Sequence, residues 1–191
     1  VTGTPEGFPT CDGPVFVYAG TVAQWLAPEV FVDAFERVRA RLGDARLVFV
    51  GQGSGWDALA DRSRGVARVE MIPAVSAEEA DRWMARATAT LASLRPGGYD
   101  YAYPTKILAS LAQGTPVIYA GPGQAASDVA EGELGVACNL DADEIAEAMV
   151  GLASGTAAWV GAEGARAWVS AHRSVEASSR AAAAVVRSAL A

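Results

Sequence analysis

The chain contains fifteen Lys and Arg residues, and fourteen of them are arginine. The one lysine, Lys106, follows Pro104 and Thr105 within "YDYAYPTKILASLAQGTPVIYAGPG", where a tyrosine-rich loop turns into a helix-periodic run. That placement suits an anion. The first amides of a helix have no intrahelical acceptors and carry the positive end of the helix dipole, so a phosphate is favoured there. Pro104 at the first helical position gives up a donor that is unpaired anyway. Thr105 offers an amide and a hydroxyl, and Lys106 a mobile point charge suited to phosphate. The alternative is a solvated side chain, yet an ammonium alone is mildly disfavoured at that end of a helix.

Other chemistry finds less support. "VGQGSGW" (50–56) places Gly51, Gly53 and Gly55 after an apolar run, with Glu70 further on. A dinucleotide fingerprint, however, wants glycine where Trp56 stands and belongs to the first strand of a sheet. A tight strand-to-helix turn is the better reading, and a nicotinamide oxidoreductase using Gly51–Gly55 is a competing one. The chain has no G-x-x-x-x-G-K-[ST] and no G-x-S-x-G, which removes the P-loop and nucleophile-elbow readings. His172 is the only histidine and falls in the C-terminal helical region, as a surface or packing residue. Cys11 and Cys138 follow no ligand spacing, so neither a metal site nor a disulfide framework is expected.

These residues need elements to position them. Short β-branched runs at 15–19, 46–50, 66–72, 89–94 and 116–120, with a short sixth at 135–138, alternate with helical patterns. Helices are expected at 28–42, near 56–63, from the capping box at Ser76 to about 87, at 104–113, and from Asp141 to about 154. The Ala-rich remainder, 156–191, reads as two or three further helices. Strand–helix alternation implies an α/β fold: a doubly wound, Rossmann-like parallel sheet of six strands in the order 3-2-1-4-5-6, with extra C-terminal helices. That order has one switch point, between the first and fourth strands. The loops it selects are Gly20–Ala27 and Arg95–Tyr103, and the second leads straight into Pro104-Thr105-Lys106. Trp25, in the first loop, is a candidate ligand platform.

A net charge of −7 with scattered basic residues gives no footprint for nucleic acid or an anionic membrane. No apolar run is long enough to span a bilayer. Residues 1–14, "VTGTPEGFPTCDGP", read as a linker from a missing N-terminal domain, leaving 15–191 as one Rossmann-like domain.

From Val15 to Ala184 the chain resembles the C-terminal, donor-binding domain of retaining glycosyltransferases of the GT-B type, group 1 or family 4-like. "VFVYAGTVAQWLAPEVFVDAF" is similar to that domain's first strand, loop and helix, and "LVFVGQGSGWDAL" to its second strand and turn. "PTKILASLAQGTPVIYAGPG" corresponds to the family's most specific segment, and "HRSVEASS" to one near its C-terminus, with Val175 where Trp is usual. There are departures. Thr21 and the stretch around Leu26 stand where many members carry an Arg and a Lys for the diphosphate. Tyr101 and Ala109 stand where the paired glutamates would meet the sugar and the ribose. The sequence also resembles a subgroup in which Pro-[Ser/Thr]-Lys takes over diphosphate binding.

The resemblance implies a donor-binding half that takes a nucleotide-diphosphate sugar, with no cofactor and no metal, and transfers the sugar to an unknown acceptor. Lys106 would stabilise the leaving group, with the amides of Thr105 and Lys106 and the polar groups of Thr21 and Gln24. The base would lie against Pro73, Ala74 and Val75, and Asp100 would reach a sugar hydroxyl. Gly20, Trp25, Gly51, Gly53, Arg95, Tyr103, Pro104 and Ala109 complete the expected donor set. The implied partner is the protein's own N-terminal Rossmann-like domain, absent here, without which the fragment would transfer nothing. The implied location is cytoplasmic, any membrane association coming from the missing half. The competing class is a non-catalytic nucleotide-binding or interaction module on the same fold.

Overall fold

The computed structural model describes residues 3–97 and 99–189. Val1 and Thr2 of the expected linker, Gly98 of the second loop, and Leu190 and Ala191 lie outside the described residues. Six strands are described: β1 (Val15–Thr21), β2 (Arg46–Gln52), β3 (Val69–Pro73), β4 (Ala89–Ser93), β5 (Val117–Ala120) and β6 (Gly135–Cys138). All their pairings are parallel, in the order β3-β2-β1-β4-β5-β6. The switch point therefore lies between β1 and β4, as the alternation of elements requires.

Strand period divides the core into two layers. Phe16 and Tyr18 of β1, with Leu47 and Phe49 of β2, pack against α1 (Glu29–Val38), α2 (Trp56–Ser63) and α6 (Ala142–Ser154). Val15, Val17, Val48 and Val50 face the other way, against Trp83 and Met84 of α3 (Ala77–Arg86). The same face continues across β4 and β5 under α4 (Thr105–Gln113), α5 (Gln124–Glu131) and α7 (Gly161–His172). The last helix, α8 (Val175–Ala189), buries only Ala177 among its described residues.

Several boundaries differ from expectation for local reasons. Pro28 caps α1 instead of opening it, and the helix stops at Val38, short of Leu42. Pro104 likewise takes an extended conformation at the cap, so Thr105 is the first helical residue of α4. Strand β3 begins at Val69 because Arg68 adopts a positive φ of 70°. Helix α5 has no counterpart in the sequence reading: "QAASDVAE" is short, lacks a capping side chain at its start and stands directly behind the turn-like Gly121-Pro122-Gly123. Residues 3–14 are pinned to the domain. Phe8 packs on Trp83 with ring centroids 5.2 Å apart, the Glu6 amide donates to Glu79 Oε1 at 2.8 Å, and Arg86 donates to Thr4 Oγ1.

Helix α6 starts where its cap predicts. Asp141 Oδ1 accepts from the amides of Asp143 (2.9 Å) and Glu144 (3.0 Å), and the Glu144 carboxylate returns to the Asn139 amide. Asp141→Ala is therefore expected to cost about 1 kcal/mol, read as a lowered midpoint in urea unfolding with unchanged slope.

Candidate functional site

Two joined cavities lie at the carboxyl ends of the central strands. The larger, about 510 Å³, is lined by the end of β1, by Trp25 and Leu26, by Ala80 and Met84 of α3, and by Tyr103 through Lys106 and Ala109. The smaller, about 170 Å³, is walled by Gly51, Gln52, Ala74 and Val75. Gly20, Thr21 and Ala80 belong to both. Together they form a channel from the start of α4 to the loops after β2 and β3.

Lys106 stands at the head of this channel. Its side chain reaches across the end of β1, half-buried, with Nζ 3.4 Å from the centroid of the Tyr18 ring. Nζ donates to the Thr21 carbonyl at 3.4 Å. Tyr18 itself is fully buried and donates its hydroxyl to the same carbonyl at 2.8 Å. Both contacts suit a cation, but neither supplies a full negative charge. Burial, with no carboxylate among the described residues offsetting it, pushes the Lys106 amine down to about 7. Burial also raises the Tyr18 hydroxyl, so that it stays a neutral donor. Beside the amine, α4 presents its first amides, and Thr105 is exposed at the cavity. The arrangement is a poised cation, short of a counter-charge, next to unpaired helix amides. Chemically, such an arrangement suits an anion.

Residues 13–154 match the family described as Glycosyl transferases group 1. The chain belongs to that family. No curated protein matches the sequence. Among solved structures, HepE of Anabaena in complex with UDP-glucose superposes with a TM-score of 0.72 at 17% identity, over 93% of this chain and 49% of that one. The C-terminal domain of the glycosyl transferase group 1 protein LpcC of Francisella tularensis gives 0.69 at 14%, over 85% and 87%. Sucrose-phosphate synthase of Thermosynechococcus elongatus gives 0.67 at 20%, over 94% and 46%. The chain thus spans about half the length of HepE and most of the isolated C-terminal domain of LpcC. This is the Rossmann-like fold of the C-terminal half of a GT-B glycosyltransferase.

Within this glycosyltransferase domain, the expected site residues divide. Gly20, Thr21, Trp25, Tyr103, Pro104, Thr105, Lys106 and Ala109 line the larger cavity, and Gly51, Ala74 and Val75 the smaller. Pro73 ends β3 beside them. Gln24 and Arg95 face elsewhere, into a separate cavity of about 460 Å³ between the starts of α1 and α2. There Arg95 pairs with Glu29 at 2.7 Å and donates through Nε to the Gln24 carbonyl. Gly53 acts in packing, since a Cβ there would sit 2.1 Å from the Val22 carbonyl oxygen. Asp100 is engaged in folding its own loop, accepting from the Gly97 amide at 2.9 Å.

The sequence reading missed Tyr18 beneath the lysine, Ala80 and Met84 across the channel, and Gln52 at its far end. Ala80 and Met84 lie one helical turn apart and could have been paired by spacing; nothing local marks the other two. Trp25 is 42% exposed and packs on Tyr99 at 5.3 Å, which joins the two switch-point loops through an aromatic contact. His172 stacks on Trp168 in α7, away from the channel. Among the described residues, no helix is long and apolar enough to cross a membrane.

Proposed function

We propose that this domain binds the donor of a retaining glycosyltransferase, a nucleotide-diphosphate sugar, with the diphosphate at the start of α4. The observation that carries the reading is the Lys106 amine, half-buried at the head of the channel with no counter-charge among the described residues. As the glycosidic bond breaks, negative charge grows on the diphosphate leaving group. Lys106 and the amides of Thr105 and Lys106 would stabilise that charge from fixed positions, with no metal ion in the step. The nucleoside would extend along Ala80 toward Ala74 and Val75, and the sugar would face Trp25 and Tyr103. The acceptor and the groups that activate it would come from a second domain, in a cytoplasmic enzyme that is inactive when the halves are separated. Family membership and the UDP-glucose complex of HepE support the donor class. Calorimetric titration of UDP and GDP into the domain tests the reading; absence of binding by both would sink it.

Proton uptake should accompany binding. In the free domain the amine is largely neutral above pH 7, whereas a diphosphate favours the ammonium. At pH 8 the titration should therefore take up close to one proton, seen as a difference in apparent enthalpy between Tris and HEPES. At pH 6 the uptake should vanish. Affinity should fall as pH rises above 7, because the proton must then be supplied by solvent.

A further inference from the structure

Helix α4 packs against α7, and one arginine of this C-terminal segment touches its far end while another touches Tyr103, just before its start. At the far end, Arg166 donates to the Gln113 carbonyl at 2.7 Å, where Gly114 leaves room for the guanidinium. At the near end stands Arg173, the residue that closes α7. Its guanidinium lies over the Tyr103 ring, 4.8 Å from the centroid, and donates through Nε (3.2 Å) and Nη2 to Asp128 Oδ2. Asp128 is itself well buried and takes a third hydrogen bond from Gln124 on its other oxygen, at 2.8 Å. Burial would raise its pKa, but the bonds from Gln124 and Arg173 hold the carboxyl below its ordinary value, so the clamp stays charged. Tyr103 lines the donor channel, and Pro104 and Thr105 follow it directly.

We propose that Arg173 is a positioning residue for the donor site: fixed by Asp128, it holds the Tyr103 ring and thereby the first turn of α4, with Thr105 and Lys106. The inference rests on the donor reading above. It places a determinant of donor affinity outside residues 13–154, the part matched by the family. A flat guanidinium can stack on an aromatic ring while spending its edge on a carboxylate, which a lysine cannot do. Gln124 holds Asp128 and the two bonds from Arg173 to Asp128 fix its rotamer, so the stack constrains Tyr103 instead of following it. Arg166 alone leaves this end of the helix free to fray, because the amides of a first turn have no partners within the helix.

The test compares the 191-residue chain with Arg173→Ala, Tyr103→Ala, their double variant and Arg166→Ala. Two readouts are used: hydrogen exchange over Tyr99–Ile107 without nucleotide, and UDP affinity. Arg173→Ala should speed exchange in that segment and weaken UDP by about tenfold, with exchange in β1 and β2 unchanged. Tyr103→Ala should match it, and the double variant should fall no further, since both act through one contact. Arg166→Ala should leave exchange over Tyr99–Ile107 as in the parent. Parent-like exchange in Arg173→Ala, or losses that add in the double variant, overturns the proposal. Should the alanine variant unfold, Arg173→Lys keeps a charge on Asp128 but loses the flat face, and parent-like exchange there overturns it equally. If the parent binds neither UDP nor GDP, the donor reading falls, while the exchange data still decide whether Arg173 holds the first turn.

Discussion

Lys106→Ala is expected to weaken UDP or GDP binding by about 10- to 100-fold, the scale of losing a charge-assisted contact to phosphate. The effect should fall on nucleotides that carry a diphosphate and spare the free nucleoside, because the proposed donor pose sets the phosphates at the lysine. Equal affinity in the variant and the parent would remove Lys106 from the site. Stability should move the other way. The folded chain lowers this amine from 10.5 to about 7, so the unfolded chain binds more protons between those values. Stability therefore rises with pH across that window, and the burial cost is fully present below pH 7. Lys106→Met, which keeps the stem over Tyr18 and drops the charge, should melt a few degrees above the parent at pH 6.5. The gap should close above pH 10.5, where the lysine is neutral in both states. A site that gains stability when its key residue is removed is one that maintains strain for function.

Gly51→Ala is expected to damage the centre of the sheet severely. Gly51, the penultimate residue of β2, is in register with Gly20 of β1, and a Cβ there would lie 2.0 Å from the Gly20 carbonyl oxygen and 2.9 Å from its carbon. Both neighbours are backbone, and β2 is trapped between β1 and β3. Relief would require β1 to shift, which would move Thr21 away from Lys106. The cost should be about 3 kcal/mol, or roughly 6–12 °C of melting temperature for a domain of this size. Gly43→Ala is the comparison. Nothing lies within 4 Å of its Cβ, so only the positive φ of 61° is penalised, at about 1 kcal/mol. Similar losses in the two variants would show that close packing at Gly51 is not the constraint.

Much of the fold and of the candidate site was legible in the residues. The alternation of β-branched runs with helical patterns, joined by right-handed crossovers, leads to the order β3-β2-β1-β4-β5-β6 and so to one crevice. Because "YPTKI" stands at that crevice, Lys106, Thr105 and Tyr103 could be assigned to it without coordinates, and the channel contains all three. Helix α5 was not legible, since "QAASDVAE" follows the turn-like Gly121-Pro122-Gly123 with no capping side chain to announce it. Nor was the fate of Arg95 and Gln24. Both sit on the correct loops, yet a loop's two sides open into different cavities, and the Glu29 partner that turns Arg95 away lies 66 residues from it in sequence.

The sequence by itself determined the strand order, the crevice and the anion-seeking start of α4, because each follows from period, caps and chirality acting over a few residues. Only the tertiary structure decided what surrounds the lysine. Tyr18 lies beneath it, Ala80 and Met84 across from it, and Arg173 with Asp128 behind Tyr103. Those neighbours come from other elements, brought close by burial of apolar faces that constrain no particular pair in advance. Periodicity says which side of a helix is buried; it does not say which distant side chain will meet it there.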